Sequence, residues 1–148
     1  MQFCFGNQFK LAELQEISGV DTGFLNQQIF SPDSQTCVTG SGYKHYHATV
    51  IDVSTGQVRA KIPLVSKWGF DWVSDYQKDV DALSFHPGGG FLMGANHTSV
   101  RLWTTSTGTL VWETTEGRDP AVFSRDGRLL ATVAKDKKTV LVWSIDTE

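Results

Sequence analysis

Residues 83–103 read "LSFHPGGGFLMGANHTSVRLW" and residues 122–143 read "VFSRDGRLLATVAKDKKTVLVW". Each opens on an aromatic residue followed by His or Ser, passes through a Gly-containing turn into an apolar run, makes a short polar turn, and ends in an alternating run closed by Trp. Alternation with a period of two is the mark of a half-buried strand, and its recurrence at a fixed spacing marks a repeat array. A looser copy begins at Phe30 with "FSPDSQTCVTG" and reaches "ATVIDVSTGQ", where Ile51 holds the place of Trp103 and Trp143. The equivalent positions Phe30, Phe85 and Phe123, with Ile51, Trp103 and Trp143, are therefore the expected repeat core.

Taken in order, the chain divides into units at about 24–64, 80–114 and 119–146. The first unit should hold strands over 24–30, 35–40, 48–53 and 58–64. Pro32 lies in the first turn and Gly56 in an "STG" turn, where its freedom to take a positive φ suits a hairpin. In 48–53, Ala48, Val50 and Asp52 alternate against Thr49, Ile51 and Val53. The second unit should give strands at 80–85, 91–95, 100–104 and 109–113, with the matching "STG" turn at Ser106 to Gly108. The third gives 121–123, 129–133 and 139–144, and no fourth strand. Residues 8–17, "QFKLAELQEI", suit either a short amphipathic helix or an edge strand; the turn-rich "SGVDTG" that follows favours the strand. Phe30 and Phe85 are 55 residues apart and Phe85 and Phe123 are 38 apart, so residues 65–79 are an insertion.

Four antiparallel strands in each unit of about 40 residues, with a Trp closing the third, resemble the WD40 family of β-propellers. The resemblance rests on "FSPD" at 30–33, "SFHPGG" at 84–89, "FSRDG" at 123–127, "SVRLW" at 99–103, "TVLVW" at 139–143 and the paired "STG" turns. It implies an all-β fold, a partial, open propeller of about three four-stranded antiparallel blades in a single domain. The family's Gly-His pair is reduced to Gly117-Arg118, which lies too close to Phe123 for a full inner strand. Its turn Asp is matched by Asp136 and becomes Asn96 in the second unit. Thr104 and Ser144 replace the acidic residue after the Trp, so the family's His-Ser/Thr-Asp-Trp hydrogen-bond network is expected to be incomplete. Three blades are fewer than the four to eight with which propellers close. If residues 8–17 are the missing outer strand of the third unit, the two ends of the chain complement each other. An open arc leaves edges and apolar faces that favour pairing with copies or partners.

The totals suit a folded domain: 148 residues, 40% hydrophobic and 20% charged. A net charge of -3 gives no broad basic field, so nucleic acid is not an expected partner. No apolar run approaches the ~20 residues that span a bilayer, and no membrane partner is expected. Cys4 and Cys37 form neither a CxxC pair nor a disulfide framework, and the N-terminus lacks a signal-peptide pattern. The expectation is an intracellular protein of cytoplasm or nucleus.

His45 and His47 could ligate a metal, but zinc needs three or four ligands and no third is placed nearby, so a solvated turn is expected there and no metal or cofactor. Gly88 to Gly90 lack the Lys-Ser/Thr of a phosphate loop and read as a hairpin turn. No nucleophile elbow, Cys-His pairing or carboxylate dyad appears, so the expected protein is not an enzyme. Trp68, Phe70, Trp72 and Tyr76 in the insertion are the candidate partner-binding residues, because aromatics concentrate binding energy. Alternatively they cover the gap between the first two blades. The expected function is a non-catalytic protein-interaction scaffold; the alternatives are a propeller fragment or subunit completing a ring, and a propeller-type enzyme.

Overall fold

The computed structural model describes residues 12, 13, 16, 28–41, 47–64 and 82–146. The insertion 65–79 and the start of the first unit lie outside the described residues, as does most of 8–17. Of that segment, Ala12, Glu13 and Glu16 are exposed and belong to no strand.

Eleven strands form three antiparallel sheets among the described residues. The first sheet runs β1 (Gln28–Phe30), β2 (Thr36–Ser41), β3 (His47–Asp52) and β4 (Val58–Pro63) in chain order. The second runs β5 (Ala82–Phe85), β6 (Phe91–Ala95), β7 (Val100–Thr104) and β8 (Leu110–Thr114). The third holds β9 (Gly117–Phe123), β10 (Leu129–Ala134) and β11 (Val140–Ser144), with no fourth strand among the described residues. This is an all-β, open propeller arc of three blades.

Register confirms the repeat residue by residue. Phe30 pairs with Cys37 and Cys37 with Ile51; Phe85 pairs with Leu92 and Leu92 with Trp103; Phe123 pairs with Leu130 and Leu130 with Trp143. Even the irregularity recurs: the register shifts between Val50 and Ile51 against β4, and at the matching Leu102 and Trp103 against β8. The hairpin turns agree too. Ser34, Gly89 and Gly127 take positive φ at the same turn position, and Gly56 and Gly108 share a φ of 70° in the paired "STG" turns.

A sheet with apolar residues on both faces has to be covered on both. The first sheet offers Ile29, Val38, Val50, Ala60 and Ile62, and onto these pack Phe85, Leu92, Trp103 and Leu110 of the second. The other face of the second sheet, with Met93, Leu102 and Trp112, receives Phe123, Leu130 and Trp143 of the third. Each blade thus turns its Trp row toward the preceding blade and its opposite row toward the next. Stacking accounts for the burial of Val50, which faces the second sheet; Thr49 and Ile51, on the opposite row, are buried as well.

Three expectations are corrected. Phe30, assigned to the repeat core, is 63% exposed, because it belongs to the Trp row of the first sheet and no described sheet precedes it. The innermost strand of the third unit is full length, starting at Gly117 rather than 121. It is made possible by a register shift at Thr132/Val133 that carries Asp119 and Pro120 past the β10 ladder, so Pro owes it no N–H, and by Gly117, where a Cβ would sit 2.4 Å from Thr132 Oγ1. Asp136 is an exposed turn residue, not a core one.

Trp103 is 1% exposed at the first interface, and Trp103→Ala should cost about 3–5 kcal/mol in urea unfolding. Val140, 64% exposed, should lose less than about 0.5 kcal/mol on truncation to Ala. Equal losses would contradict the stacking order described above.

Candidate functional site

Trp68, Phe70, Trp72, Tyr76 and His45 lie outside the described residues. His47 heads β3 and is half-buried. Among the described residues no three His, Cys, Asp or Glu side chains come together as a metal site. The Gly88 to Gly90 run forms the turn between β5 and β6, as expected.

The feature with recognition chemistry is a cleft of about 670 Å³ between the second and third sheets. Trp112, Phe123, Leu130, Trp143 and Ile145 line it, with Val142 and Ser144 of β11 at its side. Trp112 and Trp143 meet edge to face, with ring centroids 5.3 Å apart. The contrast with the second sheet locates this cleft. There Trp103 is paired with Leu110 of β8 and sealed, whereas Trp143 has no partner strand on that side among the described residues and is half-buried. The cleft therefore lies beside the position that an outer strand of the third sheet would occupy.

His86 closes one end and is committed. Its Nδ1 accepts from the Gly88 N–H at 3.0 Å, which leaves Nε2 as donor to the Gly127 carbonyl at 2.8 Å, and its ring stands edge to face with Phe91 and Phe123. This side chain ties the turn of the second blade to that of the third; a Cβ on Gly127 would lie 2.5 Å from Nε2. At the other interface Arg101, 5% exposed, donates from Nε to Glu113 at 2.9 Å and from Nη1 to the Leu64 carbonyl at 3.2 Å. Burying that charge is tolerable only because carboxylate and carbonyl both receive it.

The expected incomplete network has a specific form. In the third blade the Trp143 indole N–H donates to Thr132 Oγ1 at 2.9 Å. Thr39 occupies the same place in the first blade, two residues beyond Cys37 as Thr132 is beyond Leu130. Ile51 stands where the indole would be, and Thr39 Oγ1 is buried without a hydrogen-bond partner. The substitution of Ile for Trp is legible in the sequence; its orphaned hydroxyl appears only once the register is known.

Carboxylates fix the turns. The Ser124 hydroxyl and then the Arg128 N–H hold Asp126 below the ordinary carboxylate range, and the Ser31 hydroxyl and Gln35 N–H do the same for Asp33. Asp136 is lowered by the Thr139 hydroxyl and by the Lys138 and Thr139 amides. Asp52, directly after Ile51, is lowered most, by the Ser54 hydroxyl and then by Arg59. Asp52 holds in the first unit the position that Thr104 and Ser144 hold in the others, directly after Ile51, Trp103 and Trp143. Burial raises the Cys37 thiol.

No protein-family model matches the chain, and no curated protein matches it. Solved structures do. The WD40 repeats of RRP9 superpose with a TM-score of 0.60 at 16% identity over 89% of this chain and 37% of theirs. U3-55K gives 0.60 at 17% identity, over 89% and 38%. A protein from Bacteroides uniformis assigned as a 6-phosphogluconolactonase gives 0.59 at 14% identity, over 80% and 35%. The chain thus has a WD40-like propeller fold and spans a little over a third of the structures that it matches.

Thr39→Val removes an unpaired buried hydroxyl and should stabilise by about 1 kcal/mol, whereas Thr132→Val strands an indole N–H and should destabilise by a similar amount, both read by urea unfolding. The Asp33, Asp126 and Asp136 carboxyls titrate below the ~3.9 of an unperturbed Asp when folded. Their contribution is present above that pH and lost as pH falls through the lower folded values. Carbon-detected NMR titration of Asp126 should give a midpoint below 3.8, with unfolding midpoints declining from about pH 4 downward.

Proposed function

We propose that this chain is a non-catalytic protein-interaction module of the WD40-like propeller kind, acting on protein partners in the cytoplasm or nucleus. The observation that carries this reading is the outer face of the third sheet. Val122, Val140 and Val142 are each 63–64% exposed there and Leu129 is 44% exposed. In the other two sheets the corresponding rows are covered by the next blade. Contiguous exposed apolar surface on rigid strands is the chemistry of a protein-binding face. The neighbouring cleft offers rings and aliphatic carbon, with both nitrogens of its His86 already engaged.

A second reading draws on the same face. Phe30 and Val58 are exposed on the Trp row at one end of the arc, and Val122 and Val142 on the opposite row at the other. These faces are of the kinds that meet inside the molecule, so head-to-tail association, with itself or with another chain, would complete a ring. Catalysis is a third reading, since assigned lactonases share the fold and a fold does not determine function.

Light scattering separates the first two. The module reading expects a 16.4 kDa monomer, with partner capture lost in a folded Val122→Lys variant. A multiple of that mass that collapses to monomer in the same variant would favour the ring. Hydrolysis of 6-phosphogluconolactone above the uncatalysed rate would overturn the non-catalytic reading.

A further inference from the structure

We infer that His86 makes the second junction proton-sensitive: it ties the turn of the second blade to that of the third only while its imidazole is neutral, and acidification releases the tie. This goes beyond the interaction reading and holds whatever partner the module takes. The equivalent openings carry Ser31 and Ser124, whose hydroxyls stay within their own turns. Ser31 Oγ accepts from the Thr36 amide and donates to Asp33, and Ser124 Oγ accepts from the Leu129 amide and donates to Asp126. His86 behaves differently. Its Nδ1 takes the Gly88 amide of its own turn, and its Nε2 reaches a carbonyl 41 residues further along the chain. A titratable ring thus replaces a neutral hydroxyl at the turn whose side chain crosses between blades.

The geometry admits one protonation state. A main-chain N–H only donates, so Nδ1 presents its lone pair to Gly88 and the single ring proton sits on Nε2, facing the Gly127 oxygen. A second proton would go to Nδ1 and point at the Gly88 N–H across 3.0 Å. The ring is 9% exposed and stands between Phe91 and Phe123, so water does not replace the lost bond while the ring stays in place. No counter-charge meets it. β5 and β6 bring no charged side chain. The β9–β10 turn carries Arg125, Asp126 and Arg128, the residues after β11 carry Asp146, Arg118 and Asp119 stand at the far end of β9, and Asp33 lies in the first-sheet turn whose Pro32 borders Gly89. The Asp126 carboxylate is held by the Ser124 hydroxyl and the Arg128 amide, Asp33 by Ser31 and the Gln35 amide, and Asp146 is exposed. A released imidazole takes its proton at about pH 6.5, and the state that binds more protons gains as pH falls. The stability given by the tie is therefore present above that pH and lost below it. The Asp119 amide bond to the Asn96 carbonyl contains no titrating atom and keeps the blades tethered at the other end of β9, so release opens the junction at the His86 end, where the cleft lies.

The test uses the whole chain, labelled with nitrogen-15 and read by NMR at about pH 7.5 and about pH 5.5, the two sides of ordinary histidine titration. At the higher pH the imidazole nitrogen shifts should report the Nε2–H tautomer. On going to the lower pH the exchange protection factor of the Gly88 amide should fall about tenfold, the worth of one buried hydrogen bond, while that of the Asp119 amide is kept. Urea midpoints should drop further over this interval in the wild type than in His86→Ser, which installs the side chain of the other two turns. His45, His47 and His97 are present in both chains and cancel in the comparison. If His86→Ser does not fold, His86→Asn keeps an acceptor for the Gly88 amide without titrating, and the tautomer and exchange readings need no variant. An Nδ1–H tautomer at the higher pH, unchanged Gly88 protection at the lower, equal loss at Gly88 and Asp119, or the same pH dependence in wild type and variant would overturn the proposal.

Discussion

Everything in this chain follows from one constraint: each sheet is apolar on two faces and can hide neither by itself. Stacking resolves it pairwise. The Trp row of one blade presses onto the opposite row of the blade before it, and two such junctions account for the buried hydrophobic clusters. At the junctions Phe85 and Leu102 are buried; at the two ends of the arc the equivalent positions carry exposed Phe30 and Val142, although Ile51, on the row of Phe30, stays buried. The interaction reading grows from that, since the surface most apt for a partner is the one the repeat itself would cover.

Much of the fold could be read from residues because the repeat is written in the parts that set register: the aromatic-Ser/His openings, the turn residues and the closing Trp. The Phe91–Ala95 and Val100–Thr104 strands follow from alternation and turn chemistry alone. What escaped depends on contacts between units. Pro120 argues against a strand until the bulge that excuses it is seen, and the short Gly117 acquires meaning only beside Thr132. Arg101 reads as an ordinary polar-face residue in an alternating strand. That it is buried against Glu113 and a carbonyl from the first unit is a fact of tertiary packing. The candidate site divides the same way. Trp143 was visible as a closing aromatic and the third unit as one of three strands, but the cleft between Trp112 and Trp143 depends on how the second and third sheets stack. The aromatics of the insertion, the sequence's own choice, fall outside the described residues.

Structural likeness at 14–17% identity speaks to architecture. WD40 repeats and assigned lactonases lie at nearly the same distance from this chain, so the choice among functions comes from its own surface. That surface supplies exposed valines and engaged polar groups, a combination suited to adhesion.

The Arg101 bridge to Leu64 has a mechanical corollary. In arrays where each unit touches only its neighbours, stability is a sum of unit and junction terms, and weak junctions let units melt one at a time. Here each junction also carries a directional polar link: Arg101 to the Leu64 carbonyl at the first, and His86 to the Gly127 carbonyl with the Asp119 amide to the Asn96 carbonyl at the second. Apolar stacking alone would tolerate sliding; these links do not. They tie each blade to its neighbour at a fixed pitch, which works against one blade opening while the next stays folded.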